Sequence, residues 1–165
     1  MLPRVALLSI LLAIPVSSIS ANAAPGARPI GLKAPADGIV RVKSVYGFDE
    51  TIARLKKDIE EKGIKFFLEV DQTKLAADAG IKLRPSRLLI FGNPALGSLF
   101  ITSNSAAGID WPVRLLVTQD ADGAVWAVYT DFGYIARRHR IKDRPQAFAM
   151  ATKVIASITA SVGKN

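Results

Sequence analysis

The segment Ser86-Arg-Leu-Leu-Ile-Phe-Gly-Asn-Pro-Ala-Leu-Gly97 constrains the fold most, because an apolar strand stops at Gly92-Asn93-Pro94 and a helix then begins. Asn93 offers a side-chain oxygen to the first free amides of that helix. Pro94 fills the first helical position, where a missing donor costs nothing. The strand, Arg87 to Phe91, is an unbroken apolar run and is expected to be central and buried on both faces. Such a corner sets polar groups at a sheet edge, where an anion can rest on the exposed amides.

Alternation and helical spacing divide the rest of the chain. Val40, Val42 and Ser44 oppose Ile39, Arg41, Lys43 and Val45 in a first strand. Phe48, Ile52, Leu55 and Ile59 recur at helical spacing, with Lys56, Lys57, Glu60 and Glu61 outside and Gly63 as the stop. Ile64, Phe66, Leu68 and Val70 alternate with Lys65, Phe67 and Glu69, so the first four are expected to face the core. Asp71 caps an Ala-rich helix from Gln72 to Ala79. Beyond the corner come a short helix to about Thr102 and a polar loop from Ser103 to Pro112. Val113 to Thr118 and Ala124 to Tyr129 flank Asp120-Ala-Asp-Gly123, the signature of an antiparallel hairpin. A short helix near Asp131 to Arg138 precedes a longer one from Pro145 to Val162, with Phe148, Ala151, Thr152, Ile155 and Thr159 on one stripe.

Ahead of these elements stands Arg4, an apolar run from Val5 to Ile14, then Pro15 and small residues ending Ala21-Asn22-Ala23. This pattern reads as a secretory signal over residues 1–23, too short to span a bilayer. A periplasmic or secreted location follows, with no integral membrane segment after signal removal. Residues 24–37, with Pro25, Pro29 and Pro35, form a flexible leader, and residues 38–163 a single domain. The sequence has no cysteine, which excludes disulfides, thiolate nucleophiles and Cys-based metal sites. A formal charge of +8, lowered by one when Arg4 is removed, favours anionic partners. Nucleic acid is not expected among them, because the basic residues are dispersed along an exported chain.

Leu83-Arg-Pro85, Leu88 to Pro94, and the tail from Tyr129 through Asp131 and Tyr134 to His139 resemble the bacterial family known as domain of unknown function 302. The resemblance runs from about Val42 to Ile141. It implies a small α+β domain in which helices cover one face of a mostly antiparallel sheet, here of about five strands, and it implies a homodimer. Two positions depart from the family pattern. Gln72 stands where the family often has a histidine, and Phe132 where a proline often follows the Asp.

His139 is the only histidine, and one imidazole does not make a metal site, so none is assigned. Asp131, two helical turns away, is positioned to orient it as a general base. Alternatively, His139 caps the end of its helix beside Arg137 and Arg138. Asn93, Tyr134, His139 and Gln72 are the candidate ligand-binding residues. Trp126 and Tyr129 add aromatic surface suited to a pocket, a core or a dimer interface. Asp120, Asp122 and Gly123 lack the downstream Glu of a calcium loop and read as a turn. Nucleophile elbows, phosphate loops and dinucleotide fingerprints are missing, so no cofactor is expected. Three functions follow: a non-catalytic module binding a small or anionic ligand or a partner; a periplasmic hydrolase or isomerase using His139 and Asp131; or a structural dimer module of the cell envelope.

Overall fold

The computed structural model describes residues 36–164. The expected signal peptide and nearly all of the leader lie outside the described residues. Five strands, β1 (Ile39–Lys43), β2 (Lys65–Asp71), β3 (Ser86–Gly92), β4 (Val113–Gln119) and β5 (Val125–Thr130), form one sheet in the order β1-β5-β4-β3-β2. Every neighbouring pair is antiparallel. The helices are α1 (Phe48–Glu61), α2 (Gln72–Asp78), α3 (Pro94–Ser103), α4 (Phe132–Arg138) and α5 (Pro145–Ala160). The fold is α+β in two layers.

Period-two alternation sends Leu89, Phe91, Leu115, Val117 and Ala127 toward the helices, where Leu55 and Ile59 of α1 and Ile155 and Ile158 of α5 cover them. Full burial of each large aliphatic side chain contributes about 1.5–3 kcal/mol, which makes this layer the principal source of stability. Phe100 of α3 stacks on Phe148 of α5 with centroids 4.2 Å apart, tying the strand-turn-helix corner to the last helix. On α5 the buried stripe includes Ile158, whereas Thr152 is exposed, because the stripe follows the 3.6-residue period one step to the side.

Among the described residues no helix layer covers the opposite sheet face, and two sequence expectations fail there. β3 lies between β4 and β2 rather than at the centre, and its Leu88 and Ile90 are only half-buried on this face. In β2 the pairing shifts between Phe66 and Leu68, a bulge that inverts the alternation. Phe66 still pairs with Phe91 on the helix side, but after the bulge Glu69 pairs with Leu89 there and Leu68 turns outward at 47% exposure. Continuous apolar character on β2 and β3 therefore dresses both faces while only one is covered.

Candidate functional site

Where β3 ends, Gly92 and Asn93 open the corner anticipated from the sequence. The Asn93 side-chain Oδ1 accepts from the Leu96 amide at 3.2 Å, and Pro94 opens α3. Between this corner, the start of β4 and the flank of α5 lies a cavity of about 420 Å³. Phe91, Phe100, Phe132 and Val113 form its floor, and Met150, Val154 and Ile155 of α5 form a wall. Lys62, Asn93, Lys153 and Ser157 bring polar atoms to its lining. Among the described residues its only ionisable groups are the two lysines.

Trp111 completes the cavity, and two glycines make room for its indole. A Cβ on Gly97 would lie 2.0 Å from the indole nitrogen, and one on Gly92 would lie 3.0 Å from it. At Gly97 the ring leaves no room for any side chain, and at Gly92 a side chain would force the ring to shift by a few tenths of an ångström. Phe67, the residue carried in the β2 bulge, meets Trp111 edge-on with centroids 6.0 Å apart. Trp111, Lys62 and Lys153 were not among the residues singled out from the sequence. The available signal was a tryptophan placed before Pro112 with glycines at the strand end and one turn into the helix.

His139 ends α4 but does not meet Asp131. Asp131 instead caps the start of α4, accepting from the Tyr134 amide at 2.7 Å. The imidazole partner is Asp110, whose Oδ2 lies 2.6 Å from His139 Nε2, both side chains being almost wholly buried. The other Asp110 oxygen receives Arg114 at 3.2 Å and Arg138 at 3.3 Å. The His139 main-chain carbonyl accepts from the Asn104 side-chain Nδ2 at 2.9 Å. These bonds lock the end of α4 onto the loop after α3, where Ser105–Ile109 forms a 3-10 turn inside the stretch expected to be irregular. His139 does not line the cavity. The acid-base pairing of Asp131 with His139 is thus corrected: the two residues sit at opposite ends of one helix, each engaged elsewhere.

The remaining candidates separate along the sheet. Gln72 accepts from the Ser86 hydroxyl at 2.7 Å, at the start of β3. Asn93 follows the end of that strand, so the two are about 20 Å apart at ~3.3 Å per residue. Tyr134 packs its ring on Gly38, whose φ is +71° and whose Cβ, if present, would meet the ring at 2.3 Å. Trp126 lies on the uncovered face, donating from its indole to Asp120 at 2.9 Å. That bond holds the Asp120 carboxyl below its ordinary range. Asp120 also accepts from the amides of Asp122 and Ala124, so this segment is a turn. Burial pushes the Tyr129 phenol up, with a hydrogen bond from Thr159 acting the other way.

The β2 bulge builds one further cluster. Glu69 receives Arg87 at 2.6 Å and Lys56 of α1 at 2.9 Å, and Asp71 receives Arg87 at 3.0 Å. Burial raises the Glu69 carboxyl and is the largest single influence, but the hydrogen bonds and charges of Arg87 and Lys56 together carry it below its ordinary range. The bond to Glu69 pushes the Arg87 guanidinium up. The arrangement ties α1 to the edge of the sheet.

A solved structure titled "Crystal structure of uncharacterized conserved protein DUF302 from Bacillus stearothermophilus" superposes with a TM-score of 0.70 at 20% identity, covering 77% of this chain and 99% of that one. It bears on the fold alone. The fluoride-specific ion channel FluC 1 of Brucella suis is 36% identical over 104 residues, 63% of this chain and 41% of that protein. FluC 2 of Brucella melitensis matches at 36% over 104 residues, 38% of its length. The chain thus spans about two-fifths of the length of these relatives. Among the described residues no helix is long and apolar enough to cross a membrane. The family profile described as "Domain of unknown function DUF302" matches residues 40–160. With most of its length inside that match, the chain belongs to the DUF302 family.

Proposed function

We propose that this domain is a non-catalytic binding module whose small-molecule ligand occupies the cavity between the Asn93 corner, Trp111 and α5. The observation that carries the reading is the cavity itself. Its volume of about 420 Å³ falls within the ~300–1,000 Å³ of small-molecule sites, and its walls are mostly apolar with a few polar groups. Among the described residues neither a carboxylate nor an imidazole lines it, so no Asp-His pair is assembled there, and its ionisable groups are two lysines. A hydrolase or isomerase built on His139 receives less support, since that ring is engaged by Asp110 away from the cavity. The signal-like N-terminus supports a site of action outside the cytoplasm.

The likeness to part of the fluoride channels fits an accessory domain. The matched 104 residues are a minor share of those proteins, and the described part of this chain has no helix of membrane-crossing length. Ion conduction is not proposed for this chain.

Two tryptophans make the cavity reading testable, because Trp126 lies on the uncovered face and Trp111 in the cavity. In a Trp126→Phe variant, decan-1-ol is expected to change Trp111 emission saturably and to raise the melting temperature. An emission that ignores all apolar probes would end the reading.

Pairing of two copies through the uncovered face is a second reading with its own observation. Val70, Leu88 and Leu116, each half-buried, form one straight row across β2, β3 and β4 on that face, continued by the buried Val128 of β5. A row of this kind suits the face-to-face packing of two sheets.

A further inference from the structure

We propose that the ligand of this cavity is a single-chain amphiphile ending in one negative charge, such as a medium-chain carboxylate, with its head beside Lys153. This inference rests on the reading of the cavity as a ligand site and adds the chemical class. Three observations lead to it. The first is the distribution of polarity: an interior of Phe91, Phe100 and Phe132 suits a hydrocarbon tail, while the polar atoms come from a few residues.

The second is the layout of α5. Besides its buried stripe, the helix presents Met150, Lys153, Val154 and Ser157 to the cavity, at the i, i+3, i+4, i+7 spacing of one helix face. That face alternates apolar and polar groups. A ligand lying along it meets methyls from Met150 and Val154, and an ammonium and a hydroxyl from Lys153 and Ser157, which stand one turn apart.

The third is charge balance. The Lys62 ammonium is already held by both oxygens of Asp58 at 2.7 Å. The Asn93 side-chain Oδ1 is committed to the Leu96 amide. Lys153, in contrast, joins none of the ion pairs of the described residues. Among the described residues no acidic side chain lines the cavity, so a cationic head would meet the Lys153 ammonium with no counter-charge. One uncompensated positive charge beside a hydrocarbon-lined space matches a monoanion with an apolar tail.

The test compares three probes of equal tail length in the Trp126→Phe protein below their micellar concentrations: decanoate, decan-1-ol and decyltrimethylammonium. Decanoate is expected to bind about fivefold more tightly than the alcohol, the scale of one solvent-screened ion pair, and the cation most weakly. In Lys153→Glu, an exposed position where the fold is expected to be retained, the order of decanoate and the cation reverses. Lys62→Ala leaves the wild-type order in place. Equal binding of decanoate and decanol, or an unchanged order in Lys153→Glu at an unchanged melting temperature, overturns the charge assignment while leaving the cavity reading standing. Failure of all three probes to alter Trp111 emission sinks both.

Discussion

At the scale of single residues, the decisive contact is the one His139 makes. Sequence spacing pointed to Asp131, because positions a few turns apart on one helix are the partners a linear reading can see. The partner found is Asp110, twenty-nine positions away across the connection from α3 to β4. Such a pairing depends on how α3 and α4 pack and leaves no periodic trace. The two aspartates predict different costs. Asp110→Ala strips the buried imidazole and two guanidinium groups of their acceptor and is expected to lower unfolding free energy by about 2–4 kcal/mol. Asp131→Ala removes only a helix cap, at about 1 kcal/mol. Urea denaturation of both variants checks this, and a larger loss in Asp131→Ala would contradict the assignment. Asn93 was legible as a cap for the opposite reason: its role is local, and Asn-Pro after an apolar strand states it outright.

At the scale of elements, alternation and caps located all five strands and the five helices to within a few residues. The β2 bulge was invisible, because Ile64, Phe66, Leu68 and Val70 alternate without interruption and a bulge changes faces without changing the pattern. Its product is the carboxylate of Glu69 beneath α1, paired with Lys56 and Arg87. Since folding depresses this pKa from its ordinary 4.5, the pairing contributes fully above about that pH and is lost as acid carries the pH down through the lower folded value. Glu69→Gln removes the titration. The stability gap between wild type and variant is therefore expected to be constant near neutrality and to shrink steadily below pH ~4.5. Unfolding curves collected across that interval decide it, and a gap that widens on acidification would reverse the sign of the argument. The cavity was likewise only half legible. Its corner is written in Gly92-Asn93-Pro94, whereas Trp111 and the α5 side chains converge on it through packing of segments distant in sequence.

At the scale of the described domain, the one sheet of a two-layer fold has a face covered by helices and, among the described residues, a face without them. The helix layer encloses the core and the cavity. On the other face lies the row of Val70, Leu88 and Leu116, each half-buried, and Val128, buried beside Arg41 of β1. If two copies pair there, sedimentation velocity is expected to show a concentration-dependent dimer that Leu88→Lys converts to monomer. A wild-type monomer at all concentrations would remove that second reading without touching the cavity.

That the ligand site is the apolar cavity, and not the imidazole at the end of α4, has a direct readout in the resonances of two side chains, Met150 and His139. Met150 is one of two methionines in the sequence, the other being Met1, and it lines the cavity; His139 is the sole histidine and does not. Titration of the methyl-labelled protein with decanoate is expected to move the Met150 methyl resonance saturably while the His139 ring protons stay in place. Movement of the His139 ring with a stationary Met150 methyl would contradict the account.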